Sequence, residues 1–129
     1  MLKIGTKGSK SVTVTSRNTA KAMGSGTLDV FATPALIALM EETCWSSVAG
    51  QLETGSGTVG TLLEIKHTAP TPVGLEVTCE STLIETDGRR LVFEVTARDA
   101  KGPVGGGRHE RFVVQNEKFQ AKADAKRES

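Results

Sequence analysis

The chain has 129 residues, 37% hydrophobic and 24% charged, enough for one soluble domain with its own core. Its 16 Lys and Arg nearly cancel its 15 Asp and Glu, so no strong field points to nucleic acid. No apolar run approaches the roughly 20 residues that cross a bilayer, and MLKIGTKGSK lacks the apolar segment of a secretion signal, so a cytoplasmic location is expected.

Ser11 to Ser16, SVTVTS, alternates and is β-branched, which predicts a strand. RNTAKAMGSG is polar and glycine-rich and reads as a short helical turn or a loop. From Thr33 the period changes. In TPALIALMEETCWSSVAGQL, Thr33 is the expected N-cap and Pro34 the first helical residue. At about 100° per residue, Leu36, Ile37, Met40, Cys44 and Val48 share one side, and the helix ends near Gly50. Glu41 borders that apolar stripe, while the adjacent Glu42 points away.

Strand patterns follow. Leu63, Ile65 and His67 share one face of TVGTLLEIKHTA. Leu75, Val77, Cys79 and Leu83 share a face of the next strand, and Asp87-Gly88 signals a tight hairpin. Leu91, Phe93, Val95 and Ala97 share a face of the fourth. GGGRHERFVVQ reads as the last strand, and residues 117–129 as a polar tail with a short helix that frays. Gly55-Ser56-Gly57-Thr58-Val59-Gly60 matches the glycine spacing of a dinucleotide-binding loop. It follows a helix and leads into a strand, the reverse of the order that chemistry needs, so it reads as a connection. Cys44 and Cys79 show neither a metal motif nor a disulfide framework and read as buried thiols.

One long helix with a single apolar side, then antiparallel strands, is an α+β layout. It is that of a hotdog fold: residues 1–129 form a single domain, its helix of about 27 Å wrapped by a curved sheet of about five strands. A single sheet layer leaves a bare strand edge, and pairing of two edges in a homodimer is the expected remedy, with a dimer of dimers left open.

Three polar residues stand against apolar surroundings: Thr33, Glu41 and His67. A hydroxyl, a carboxylate and an imidazole are the parts of an acyl-transfer site. Each also has a plain structural reading, as a cap, a helix-edge residue and a core histidine. His109, between Arg108 and Glu110, reads as a solvated strand residue. No metal is expected, since His67 and His109 have no ligand spacing with a cysteine or carboxylate.

VFATPALIALMEETC, GTLLEIKHTAPTPVGLEVT, DGRRLVFEV, GGGRHERFVV and EKFQAK together resemble the fluoroacetyl-CoA thioesterase family of hotdog proteins, from about Val30 to Lys122. The resemblance implies hydrolysis of short acyl-CoA thioesters by a homodimer, with coenzyme A as part of the substrate and no cofactor. It carries the catalytic threonine, glutamate and histidine onto Thr33, Glu41 and His67. It carries the glycine near the acyl group onto Gly60 and a late arginine onto Arg111. Val30 and Phe31 are expected to bound the acyl chain, and Lys66, Arg108 and Arg111 are available to the CoA phosphates. Arg111 is out of phase with Phe112 and Val114, which also allows a structural role. Family members specialised for the fluorinated substrate carry bulky phenylalanines before the V-F-A-T segment. Here that place reads Gly24-Ser25-Gly26-Thr27, so a general short-chain acyl-CoA thioesterase is expected. Two readings compete. A hotdog enoyl-CoA hydratase would pair an aspartate with a histidine at the helix entry, and Asp29 has no such partner. A non-catalytic module could bind acyl-CoA or a small ligand in the same pocket.

Overall fold

The computed structural model describes residues 2–128. Its elements in chain order are β1 (Lys7–Thr13), α1 (Ala20–Met23), α2 (Thr33–Val48), β2 (Ser56–His67), β3 (Glu76–Asp87), β4 (Arg90–Asp99), β5 (Gly102–Gln115) and α3 (Asn116–Asp124). The strands form one antiparallel sheet in the order β1-β3-β4-β5-β2. This is the expected single layer of five strands around one long helix.

Helix α2 packs mainly on β1 and β3. Leu36, Met40, Cys44 and Val48 are buried against Val77, Cys79, Leu83, Leu91, Phe93 and Val95, the inward faces of β3 and β4. Ile37 is only half-buried, and Leu39 and Thr43 take its place in the contact. Thr43 can be buried because its hydroxyl donates to the Leu39 carbonyl at 2.7 Å. Burial pushes the Cys44 thiol up to about 12, and raises that of Cys79 as well, which keeps both protonated and inert.

Two local readings are corrected. The extended residue before α2 is Ala32, and Thr33 is the first helical residue, with Pro34 behind it. The Thr33 hydroxyl therefore does not cap the helix and is free to bond elsewhere. The glycine-rich run is not a connection either, because Ser56 to Gly60 already pair with β5. Glycine suits this edge since Asn116 of α3 presses on Gly57, where a Cβ would lie 2.5 Å from Asn116 Oδ1.

The edges differ. β1 is short and carries Lys7 and Lys10. β2 is longer, with Leu62 38% and Leu63 41% exposed beside a register shift between Gly60 and Leu62. Among the described residues, no helix is long and apolar enough to cross a membrane.

Candidate active site

The polar residues collect in two places. At the start of α2, Thr33 Oγ1 lies 2.8 Å from His67 Nδ1 at the end of β2. The other ring nitrogen, Nε2, is buried without a hydrogen-bond partner among the described residues. Burial lowers the imidazole's affinity for a proton, against the Ala69 backbone, which raises it. His67 is thus biased toward its neutral form, able to accept or donate. Behind it stands Gly105, which faces His67 across the β2–β5 register. A Cβ there would lie 2.6 Å from the Lys66 carbonyl oxygen and 3.1 Å from Leu36 Cδ2. Gly107 takes a φ of 151°, and a Cβ on it would collide with the Glu64 carbonyl, so only glycine fits.

The second place lies further along α2. Arg111 Nη1 reaches Glu41 Oε2 at 3.3 Å. Its Nε donates to Thr58 Oγ1 at 2.7 Å and its Nη2 to the Thr58 carbonyl at 2.9 Å. Those bonds fix the plane of the guanidinium. Gly60 sits beside the carboxylate, and a Cβ there would lie 2.5 Å from Glu41 Oε2 and 3.3 Å from His109 Cε1. The position must be glycine for Glu41 to keep this orientation. Glu42 faces away, toward Lys10 at 3.9 Å, as its helical phase requires.

His109 was misread from sequence. It is fully buried, and Arg111 is nearly so, while Phe112 is exposed on the other face of β5. His109 Nδ1 lies 2.8 Å from the Leu62 carbonyl, a group that only accepts, so Nδ1 carries the proton. Nε2 then keeps a lone pair toward Arg111 Nη1 at 3.1 Å. Burial holds His109 below its ordinary value, and the Arg111 charge pushes the same way, against the Leu62 bond. The result is a directed chain from Leu62 through His109 and Arg111 to Glu41. Apolar residues in both phases, Phe112 and Val114 against Val113, hid the inward phase. A histidine and an arginine two apart were the available signal for it.

Other sequence candidates fall elsewhere. Arg108 and Glu110 share the outward face of β5, where Glu110 takes a bidentate pair from Arg90 at 2.9 and 3.0 Å and a third bond from Arg108 at 2.9 Å. Lys66 is on that outward side as well, in phase with Glu64 opposite Arg108. Lys66 and Arg108 thus lie on the face of the sheet away from Glu41 and His67. Phe31 is buried in the core and Val30 is half-buried, in a bridge to Pro72. Gly24 to Thr27 are all exposed. Among the described residues, no three His, Cys, Asp or Glu side chains gather as metal ligands.

Known proteins share this fold and part of this sequence. The family described as fluoroacetyl-CoA-specific thioesterase matches residues 14–117. A fluoroacetyl-CoA thioesterase of Streptantibioticus cattleyicolor is 45% identical over 98 residues, 76% of this chain and 70% of that one. A solved structure of a fluoroacetyl-CoA thioesterase superposes with a TM-score of 0.93 at 36% identity, covering 98% of each chain. A hot-dog-like protein from Thermanaerovibrio acidaminovorans follows with a TM-score of 0.87 and 25% identity, covering 97% of this chain and 93% of its own. With most of its length matched by sequence and by architecture, this chain belongs to the fluoroacetyl-CoA-specific thioesterase family and has its hotdog fold.

Proposed function

We propose that the protein hydrolyses short-chain acyl-CoA thioesters to free acid and CoA, in a homodimer whose two sites are each built from both chains. The observation that carries this reading is the separation of the two polar clusters. Thr33 and Glu41 are eight residues apart on one helix, about 12 Å at 1.5 Å per residue. Gly60 and His67 are seven apart on β2, about 23 Å at 3.3 Å per residue. The carboxylate and the imidazole of one chain are therefore too distant to act on one carbonyl.

Strand β2 is a bare edge. Antiparallel pairing with a second β2, about a two-fold axis near Leu63 and Glu64, lays Gly60 of one chain beside His67 of the other. The same pairing covers the exposed Leu62 and Leu63. It brings Glu41 with its Arg111 to the partner's Thr33 and His67, and offers the partner's buried, unpartnered Nε2 a reacting group.

In that composite site Glu41 attacks the thioester carbonyl, or takes the proton of a water that does. His67 carries a proton to or from the water or the leaving thiolate, and Thr33 fixes its ring. Backbone N–H groups at the start of α2 or at Gly60 stabilise the oxyanion. Arg111 orients the carboxylate. The exposed Gly24 to Thr27 segment supplies no large apolar cover for the acyl group, which favours a broad short-chain range.

Mixing two inactive chains tests this. Glu41→Gln and His67→Ala, each inactive alone, should regain activity on acetyl-CoA when refolded together, because one site in each mixed dimer is intact. Thiol release that stays at the level of the separate variants would overturn the shared site. Absence of thiol release by the unmodified protein with acetyl-, propionyl- and butyryl-CoA would overturn hydrolysis itself.

A further inference from the structure

Two clefts lie side by side at the end of the molecule where α3 covers β5 and β2. The first, about 530 Å³, has Val113, Val114 and Phe119 as its apolar wall and Arg89, Lys118 and Lys122 around it. Three cations come from the β3–β4 turn and from α3, and among the described residues no carboxylate lines the cleft. None of the three makes an ion pair among the described residues, whereas Arg90, Arg108 and Arg111 all do. Uncompensated positive charges around one concavity repel each other and await an anion.

The second cleft, about 510 Å³, shares Ser56, Val114 and Phe119 with the first. It runs along β2 to Thr58 and Arg111. Arg111 is the residue that holds Glu41. Ser56 and Gly60 are four residues apart, about 13 Å of strand at 3.3 Å per residue, a distance that an extended pantetheine arm spans. The path is thus cationic and open at one end, slim and part apolar in the middle, and reaches the arginine that holds the Glu41 carboxylate. A CoA thioester has the matching order: phosphates, a thin amide-bearing arm, then the acyl group.

We propose that Arg89, Lys118 and Lys122 form the subsite for the nucleotide phosphates of the CoA substrate, with the pantetheine arm laid along the second cleft. The assignment rests on the thioesterase reading. It replaces Lys66 and Arg108, which face the opposite side of the sheet. Lysine suits this rim as a mobile point charge for phosphate, and its contribution falls as salt screens it.

The test compares a full and a truncated substrate. Lys118→Glu with Lys122→Glu, and separately Arg89→Glu, are assayed on acetyl-CoA and on the acetyl thioester of N-acetylcysteamine, which has no nucleotide. The double variant should raise KM for acetyl-CoA by about tenfold or more at low salt, the loss of one to two charge-assisted contacts, with kcat within about twofold. The difference should shrink as salt is added. The truncated thioester should be hydrolysed equally by all forms. An unchanged KM for acetyl-CoA, or an equal loss on both substrates, overturns the subsite. Should the unmodified protein hydrolyse neither thioester, the thioesterase reading fails, and calorimetric binding of CoA itself still decides the subsite: tighter binding to the unmodified chain than to the double variant supports it, and equal or absent binding overturns it.

Discussion

The cluster around Thr33 and His67 and the cluster around Glu41 are built on opposite plans. In the Glu41 cluster the groups form a network, His109 to the Leu62 carbonyl and Arg111 to His109, Thr58 and Glu41 Oε2. In the other, Thr33 bonds His67, and a buried nitrogen has no partner among the described residues. Several bonds fix a group in space; a group with few partners is open to meet something else. The contrast teaches that Glu41 is held from several sides and His67 from few, which fits the roles proposed for them, a carboxylate that aims and a ring that passes a proton.

The largest expected effect is on the aimed group. Glu41→Gln should lower kcat/KM for acetyl-CoA by roughly 10²–10⁴, the usual worth of acid–base help, while Glu42→Gln stays near the unmodified value. Equal turnover in the two variants would break the comparison at its root. Gly60→Ala comes next. Its Cβ, 2.5 Å from Glu41 Oε2, must turn the carboxylate, so kcat should fall by about tenfold or more. An unaltered kcat would show that Glu41 need not be aimed.

His109 separates positioning from packing. His109→Phe fills the volume but strands the Leu62 carbonyl and one Arg111 N–H, and should cost about 1–3 kcal/mol in urea unfolding along with activity. His109→Gln, which can still donate and accept, should recover most of the activity. If both variants lose activity alike, the directed chain to Glu41 is not what His109 supplies.

The smallest effect is on acid stability. Both His67 and His109 bind a proton less readily folded than free, chiefly because each is buried. The stability they contribute is complete above the unfolded value near 6.5 and drains as pH falls through their lower folded values. Melting temperature should therefore decline below about pH 6.5, and less steeply in His109→Gln, where one titration is gone. A melting profile of equal slope in the two proteins would mean that His109 does not titrate with unfolding.

Much of the fold was legible because single-sided burial writes a period into the chain. Leu36, Met40, Cys44 and Val48 recur at helical spacing, and Leu91, Phe93, Val95 and Ala97 alternate; all are buried. The resemblance supplied the candidate site residues, but not their layout in two separate clusters. Thr33 looked like a cap because a threonine before proline usually is one, and only the backbone at Ala32 shows otherwise. His109 was lost because inward polar groups break the rule that apolar residues mark the core. Charge is the least legible part. Arg89, Arg90, Arg108 and Arg111 look alike in the sequence, and only their partners tell a bound guanidinium from a free one.

The wall behind His67 is made of main chain. At Gly105, and further along β5 at Gly107, there is no side chain to shorten, and no room to add one without moving β2. Most binding pockets can be resized one residue at a time; this side of the site cannot. A saturation library across the chain should therefore find no acyl-size variants at these two glycines, only inactive ones. On the proposed reading, change of substrate range is expected instead at Val30 and the exposed Gly24 to Thr27 segment, where side chains can grow. That asymmetry predicts where the specificity of this chain can be changed: by adding bulk to one loop, over a floor that stays the same.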